Sequence, residues 1–167
     1  MPEAATWQLA QVNVALPLEP LTSESLADFV ALLEPVNALA DQAPGFVWRL
    51  QSEDGDATAI RAFDDDRLII NMSVWESVES LAEFVFGGMH IEVMRRRREW
   101  FALMRESYAA AWWMPAGVPP TVADAEERLA ALRLHGPTPF AFSLKHPYPA
   151  PGGSLVGRAA DTWLCPA

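Results

Sequence analysis

Residues 68–75 read LIINMSVW, and their alternation decides the fold. Side chains of a strand point alternately to its two faces. Leu68, Ile70, Met72 and Val74 therefore form a wholly apolar face, while Ile69, Asn71, Ser73 and Trp75 form one that mixes amide, hydroxyl and indole groups. Trp7 to Leu16 divides in the same way: Ala10, Val12, Val14 and Leu16 share one parity, and Leu9, Gln11 and Asn13 the other. Gln11 and Asn13 then face either solvent or a polar-spotted cavity. Residues 46–50, FVWRL, and 109–114, AAAWWM, add two strands, with Phe46, Trp48 and Leu50 expected on a common face. Thr58 to Phe63 reads as a further short strand, returning after the turn signal SEDGDA at 52–57.

Between the strands the apolar period changes to that of helices. Thr22 or Ser23 is placed to cap a helix reaching Gln42, with Leu26, Phe29, Val30, Leu33, Val36 and Ala40 on the buried stripe and Asn37 among them. Pro35 inside it removes a hydrogen bond at a cost of about 3 kcal/mol and predicts a kink or two abutting helices. Ser77 caps a short helix that Gly87 and Gly88 interrupt. From Met89 to Met104 the spacing predicts a helix with His90, Val93, Met94, Arg97, Trp100, Phe101 and Met104 on one face. Thr121-x-x-Asp124 resembles a capping box opening a last helix, buried through Leu129 and Leu132.

The order strand, helix, strands, helices, strand is the split βαβ plan, an α+β ferredoxin-like fold with an antiparallel sheet and helices on one face. The other face would be bare and would carry Trp, Phe, Asn and Ser, too apolar a patch for a monomer, so a homodimer with sheets facing each other is expected. Residues 1–135 are read as this domain. Residues 136–167, which turn to proline and glycine, are read as a wrapping tail anchored by Phe140, Phe142 or Trp163.

In 167 residues, 51% of them hydrophobic, there is room for one core. Seven Trp and eight Phe are a heavy aromatic load, suited to a core, an interface or a flat ligand. A net charge of −10 argues against nucleic acid, which is held by Lys and Arg. One cysteine, Cys165, excludes an internal disulfide framework and a thiolate metal cluster, and His90, His135 and His146 lack ligand spacing, so no metal site is expected. The acidic stretches at 52–57 and 64–66 lack the regular spacing of a calcium loop. MPEAATWQLA does not resemble a secretory signal and no stretch is long enough to span a bilayer, which together read as a cytoplasmic protein without membrane partners.

The segments LAQVNVAL (9–16), EPVNALADQAPGFVWRLQ (34–51), INMSVWESVESLAEFVF (70–86), HIEVMRRRREWF (90–101) and WWMPAGVPPTVADAEERL (112–129) resemble a bacterial family known only as a domain of unknown function. That family looks like a member of the dimeric α/β-barrel superfamily, alongside antibiotic-biosynthesis monooxygenases. The resemblance covers about residues 7–142 and implies a dimer with a cavity between sheet and helices in each protomer. It also sets a menu of chemistries: cofactor-free oxygenation of aromatic substrates, haem-dependent reactions with a histidine ligand, and non-redox isomerisation, cyclisation or dehydration. A shared fold selects none of them.

The site residues follow from phase and chemistry. His90, at a helix start where the dipole disfavours imidazolium, is the candidate base or donor, and in the haem alternative the axial ligand. Arg95 and Arg96 point outward. Arg97 falls in the apolar stripe and needs a partner, either Glu34 or Glu76 or an anionic, phenolate-like substrate. Asn13, Asn37, Asn71, Ser73 and Trp75 are polar or amphipathic groups set among apolar neighbours; hydrogen-bond donors of this kind in a dry cavity suit an enolate or carbanion. Trp48, Trp112 and Trp113 are candidate walls. The expected function is that of a small enzyme acting on a hydrophobic, aromatic or polyketide-like molecule without a cofactor, with a haem protein and a non-catalytic ligand-binding protein as alternatives.

Overall fold

The computed structural model describes residues 6–53 and 55–153. Strands β1 (Trp7–Ala15), β2 (Phe46–Arg49), β3 (Ile69–Trp75) and β4 (Ala109–Pro115) form one antiparallel sheet in the order β2-β3-β1-β4. Helices α1 (Ala27–Gln42), α2 (Val78–Val85), α3 (Gly88–Trp100) and α4 (Val122–His135) complete the chain. The first seven elements follow the expected ferredoxin-like order. No helix among the described residues is long and apolar enough to cross a membrane.

The register brings the two central strands together by kind, with Leu9 opposite Trp75, Gln11 opposite Ser73, and Asn13 opposite Asn71. One face of the sheet is dry: Ala10, Val12, Val14, Ile70, Met72, Val74, Ala110 and Trp112 close a core with Ala125, Leu129 and Leu132 of α4. The other face is covered at its two ends. Leu9, Trp75 and Ala111 pack with Val78 and Leu81 of α2, while Ala15 and Ile69 adjoin Leu26, Phe29, Trp100 and Phe101 from α1, α3 and their flanks.

The Asn, Ser and Trp side chains therefore lie on the face beneath α1–α3, not on the face away from them. That opposite face carries α4, which follows the split βαβ unit and lies outside its plan. Among the described residues helices thus lie on both sides of the sheet, and the expected dimer does not follow from a wholly bare face.

Several boundaries move for identifiable reasons. A β-bulge between Phe46 and Trp48 sends Phe46 to the face of Trp75 and Trp48 to the face of Val74, so the three residues expected on one face are divided. Thr58 to Phe63 is not a strand. It forms turns over the dry face, where Ile60, Ala62 and Phe63 join the core and Glu126 Oε1 accepts the Phe63 N–H at 2.8 Å. α3 stops at Trp100, short of Met104, because the backbone beyond it pairs with an extension of β1: Leu18 donates to the Trp100 carbonyl at 2.8 Å and Ala102 to that of Leu16 at 2.9 Å.

α1 runs through Pro35 as one segment, with the proline on its exposed side. The Ser23 hydroxyl bonds to the Pro20 carbonyl instead of capping the helix. After α4 the chain returns to β4, where Phe142 and Ala111 exchange two backbone hydrogen bonds of 2.7 and 2.9 Å and the Phe142 ring is fully buried. Phe140 remains 40% exposed, against the Arg128 guanidinium, and Trp163 lies outside the described residues.

Gly45 sets the approach of β2 to α2. Its φ is +81°, and a Cβ there would meet the Ser80 Cβ at 2.5 Å, inside the capping box that Ser77 and Ser80 form. Gly45→Ala is expected to destabilise the fold by about 1–3 kcal/mol through backbone strain alone, before the clash is counted, as read from the urea unfolding midpoint.

Candidate functional site

Between the two covered ends of the inner face lies a connected polar array. Gln11 Nε2 donates to Asn71 Oδ1 at 2.9 Å and to Ser73 Oγ at 2.8 Å. Asn13 Nδ2 donates to Asn71 Oδ1 at 3.3 Å and to Gln11 Oε1 at 3.4 Å. The Trp75 indole N–H completes it, donating to Ser73 Oγ at 2.8 Å. Cross-strand pairing is what assembles these groups, because antiparallel register places Gln11 and Asn13 of β1 beside Ser73 and Asn71 of β3.

The direction of these bonds decides what the array offers. Asn71 Oδ1 accepts twice, which turns its Nδ2 and two hydrogens away from the network. Ser73 Oγ also accepts twice, leaving its own hydrogen free to donate. Ser73 and Trp75 are buried, Gln11 and Asn13 half-buried, and Asn71 exposed, so the array is anchored at its base and open at its front. On the β4 side the residues opposite Asn13 and Gln11 are Ala109 and Ala111, of which Ala111 is buried with Phe142 while Ala109 stays half-buried. On the other side Trp75 stacks on Phe84 at 5.3 Å between centroids and 26° between planes, and Phe46 meets its ring edge-on at 5.5 Å.

His90 has no hydrogen bond to the array; its ring contact is with Phe84, at 5.1 Å between centroids, and Phe84 in turn stacks on Trp75. Its Nδ1 lies 2.9 Å from the Val85 carbonyl, an acceptor only, so Nδ1 carries the hydrogen and Nε2 the lone pair. Burial pushes the pKa of His90 below its ordinary value, partly offset by that hydrogen bond, and the ring is neutral at pH 7.

The unfolded chain, with a pKa near 6.5, therefore takes up this proton first on acidification. The stability that goes with a neutral His90 is complete above that pH and is lost as pH falls toward the folded pKa. His90→Phe should flatten this part of the unfolding free energy between about pH 7 and 5, measured by urea denaturation at each pH.

Arg97 is half-buried, and its partner is neither Glu34 nor Glu76. Its guanidinium lies over the Tyr108 ring at 4.1 Å, and among the described residues it has no carboxylate within ion-pair distance. Tyr108 immediately precedes Ala109, which pairs with Asn13, but its ring packs against the dry-face core, so Arg97 has no contact with the amide array. Arg95 is exposed, as expected, and pairs with Glu92 at 2.6 Å, whereas Arg96 is half-buried, lying over the Trp100 ring at 4.7 Å and pairing with Asp28 and Glu99 at 2.9 and 3.0 Å.

Asn37 sits half-buried on α1 without a hydrogen bond among the described residues. Trp48 and Trp112 lie on the dry face, with Trp112 in the core under α4, so neither shares a face with Asn13, Asn71, Ser73 and Trp75. Gln11 was assigned by parity to solvent or a cavity but not to the site, and the place of Phe84 beside Trp75 emerges only through packing.

Among the described residues no cluster of three or more His, Cys, Asp or Glu side chains is arranged to hold a metal. Haem fits poorly at His90. The groove it lines contains the Glu83 carboxylate and no Lys or Arg to meet propionates.

A family model for a domain of unknown function matches residues 8–158. The chain belongs to the DUF3291 family. No curated protein matches this DUF3291 chain. Among solved structures it is similar to SnoaB, a cofactor-independent oxygenase from Streptomyces nogalater, with 16% identity, 70% of this chain and 97% of that chain covered, and a TM-score of 0.44. Rv0793 from Mycobacterium tuberculosis gives 13% identity, coverage of 68% and 99%, and a TM-score of 0.44. A Nitrosomonas europaea protein provisionally called an antibiotic biosynthesis monooxygenase gives 13%, 72%, 99% and 0.44 in the same order. At these identities no activity carries across to the DUF3291 chain, and its function has to be read from its own side chains.

Proposed function

We propose that this DUF3291 chain is an enzyme that binds a planar, hydrophobic molecule through a carbonyl or phenolic oxygen on the inner sheet face and promotes its oxygenation through an enolate, with no cofactor. The reading rests on one observation: Asn71 Oδ1 and Ser73 Oγ each accept two hydrogen bonds within the array, which leaves the exposed Asn71 Nδ2–H as a donor at the open front with the Ser73 O–H behind it. Donors already held in place favour an oxygen that gains negative charge during reaction, and they act most strongly where water is excluded.

Asn71 and Ser73 hold the substrate oxygen, and Asn13 and Gln11 orient them. The Trp75–Phe84 stack is the apolar wall, and the ring lies over the open front beside Ala109. His90 is outside this chemistry.

1,8-Dihydroxyanthrone is a suitable probe. Its CH2 carbon loses a proton to solvent water to give an enolate, the carbanion carbon adds dioxygen, the peroxide anion takes a proton back from water, and the hydroperoxide loses water together with the remaining C–H hydrogen to leave a quinone carbonyl. The substrate supplies the electrons, so the balance is one anthrone and one O2 to one quinone and one water. Oxygen uptake and quinone absorbance should both rise above the spontaneous rate in proportion to protein. Uptake equal to that of buffer, with binding intact, would leave a binding protein and remove the catalytic reading.

A further inference from the structure

A second concavity lies apart from the amide array, between the C-terminal end of α1 and the α2–α3 junction. It encloses about 330 Å³, and its apolar lining includes Leu39, Phe84 and Met89. Leu39 and Met89 are 46% and 38% exposed, large apolar side chains left in water at its rim.

Its free polar side chains are of one kind, while its backbone contributes both the last turn of α2 and the first turn of α3. The Nδ1–H of His90 is held by the Val85 carbonyl, and Nε2 makes no hydrogen bond among the described residues and is not sealed from solvent. Glu83 adds an exposed carboxylate. The Ser80 hydroxyl is already used, donating to the Ser77 carbonyl at 3.0 Å and accepting the Ser77 N–H at 3.2 Å. No Lys or Arg lines the groove. The side-chain groups left over are thus an imidazole lone pair and a carboxylate, both acceptors, beside an aromatic ring. The amide array offers the opposite, donors.

We propose that this groove is a second binding site, taking a single-ring hydrophobic amine in its ammonium form. The ammonium donates to His90 Nε2 and lies near the Glu83 carboxylate, and its apolar part covers Leu39, Phe84 and Met89. A volume at the lower end of ligand pockets limits the occupant to about one ring. The chain's net charge of −10 favours the approach of a cation. This inference stands independently of the proposed oxygenation.

The test is calorimetric titration of the full chain with 2-phenylethylamine, using 2-phenylethanol as the uncharged comparator. Saturable binding in the millimolar range is expected, with the alcohol weaker by about tenfold. His90→Phe, which keeps an aromatic ring and removes the acceptor, should weaken the amine by about tenfold. Glu83→Gln should weaken it by about threefold, a small effect because the carboxylate is exposed. Asn71→Asp, in the other site, should leave it unchanged.

If His90→Phe fails to fold, Glu83→Gln carries the test, since it alters a surface side chain. No saturation up to about 10 mM amine, equal affinity for the alcohol, or loss of binding in Asn71→Asp would each overturn the proposal.

Discussion

Asn71→Asp is expected to lower kcat for anthrone oxidation by about 10²–10³-fold while leaving the unfolding midpoint close to wild type. The substitution keeps an oxygen to accept from Gln11 and Asn13, so the network that orients the site persists. What it removes is the pair of N–H donors at the open front, and it puts a negative charge where the substrate oxygen would become negative. Because Asn71 is exposed, no buried group is left without a partner. The loss should fall on kcat more than on KM, since the ground-state oxygen carries little charge and the reacting one carries much. Steady-state kinetics with a parallel thermal melt checks both halves. Equal kinetics in the two proteins would place the reacting oxygen elsewhere.

Leu129→Ala carries the largest expected effect on stability, about 2–5 kcal/mol by urea denaturation. Leu129 is fully buried between α4 and the dry face of the sheet, next to Ala125 and Leu132 and against a core that includes Trp112. Its truncation would open a cavity that the sheet cannot collapse to fill. α4 is also tied to the rest of the chain by Glu126 to the Phe63 N–H at 2.8 Å, Arg128 to the Phe140 carbonyl at 2.8 Å and Arg133 to the Ser107 carbonyl at 2.8 Å. A loss below about 1 kcal/mol would mean that the helix is an appendage and that the dry face is closed by something else.

Period-2 alternation was enough to find all four strands and to assign Asn13, Asn71, Ser73 and Trp75 to one face, because parity is a local property. It did not say which face the helices take. That depends on where α4 folds back, a long-range choice with no local signature, and the bare-face reason for a dimer failed on it. Val47 shows a second limit. An inserted residue leaves FVWRL looking like an unbroken strand, while the bulge separates Phe46 from Trp48.

The helix around the arginine quartet was legible in phase but not in partners. Phase separated Arg97 from Arg95 and Arg96, yet Arg96 is half-buried as well, over the Trp100 ring, and Arg97 rests on Tyr108, a neighbour that helix phase does not predict. His90 was expected to be neutral from its place at a helix start, and burial also pushes its pKa down. Its ring contact is with Phe84, whose place only packing determines.

The most direct test of the central claim is a crystal structure with 1,8-dihydroxyanthraquinone, the unreactive product of the probe reaction. The account predicts a carbonyl or phenolic oxygen within about 3.2 Å of Asn71 Nδ2 or Ser73 Oγ, with the rings beside Ala109 and against the Trp75–Phe84 wall. Rings seated against Trp48 on the opposite face, or in the His90 groove with the amide array empty, would contradict it.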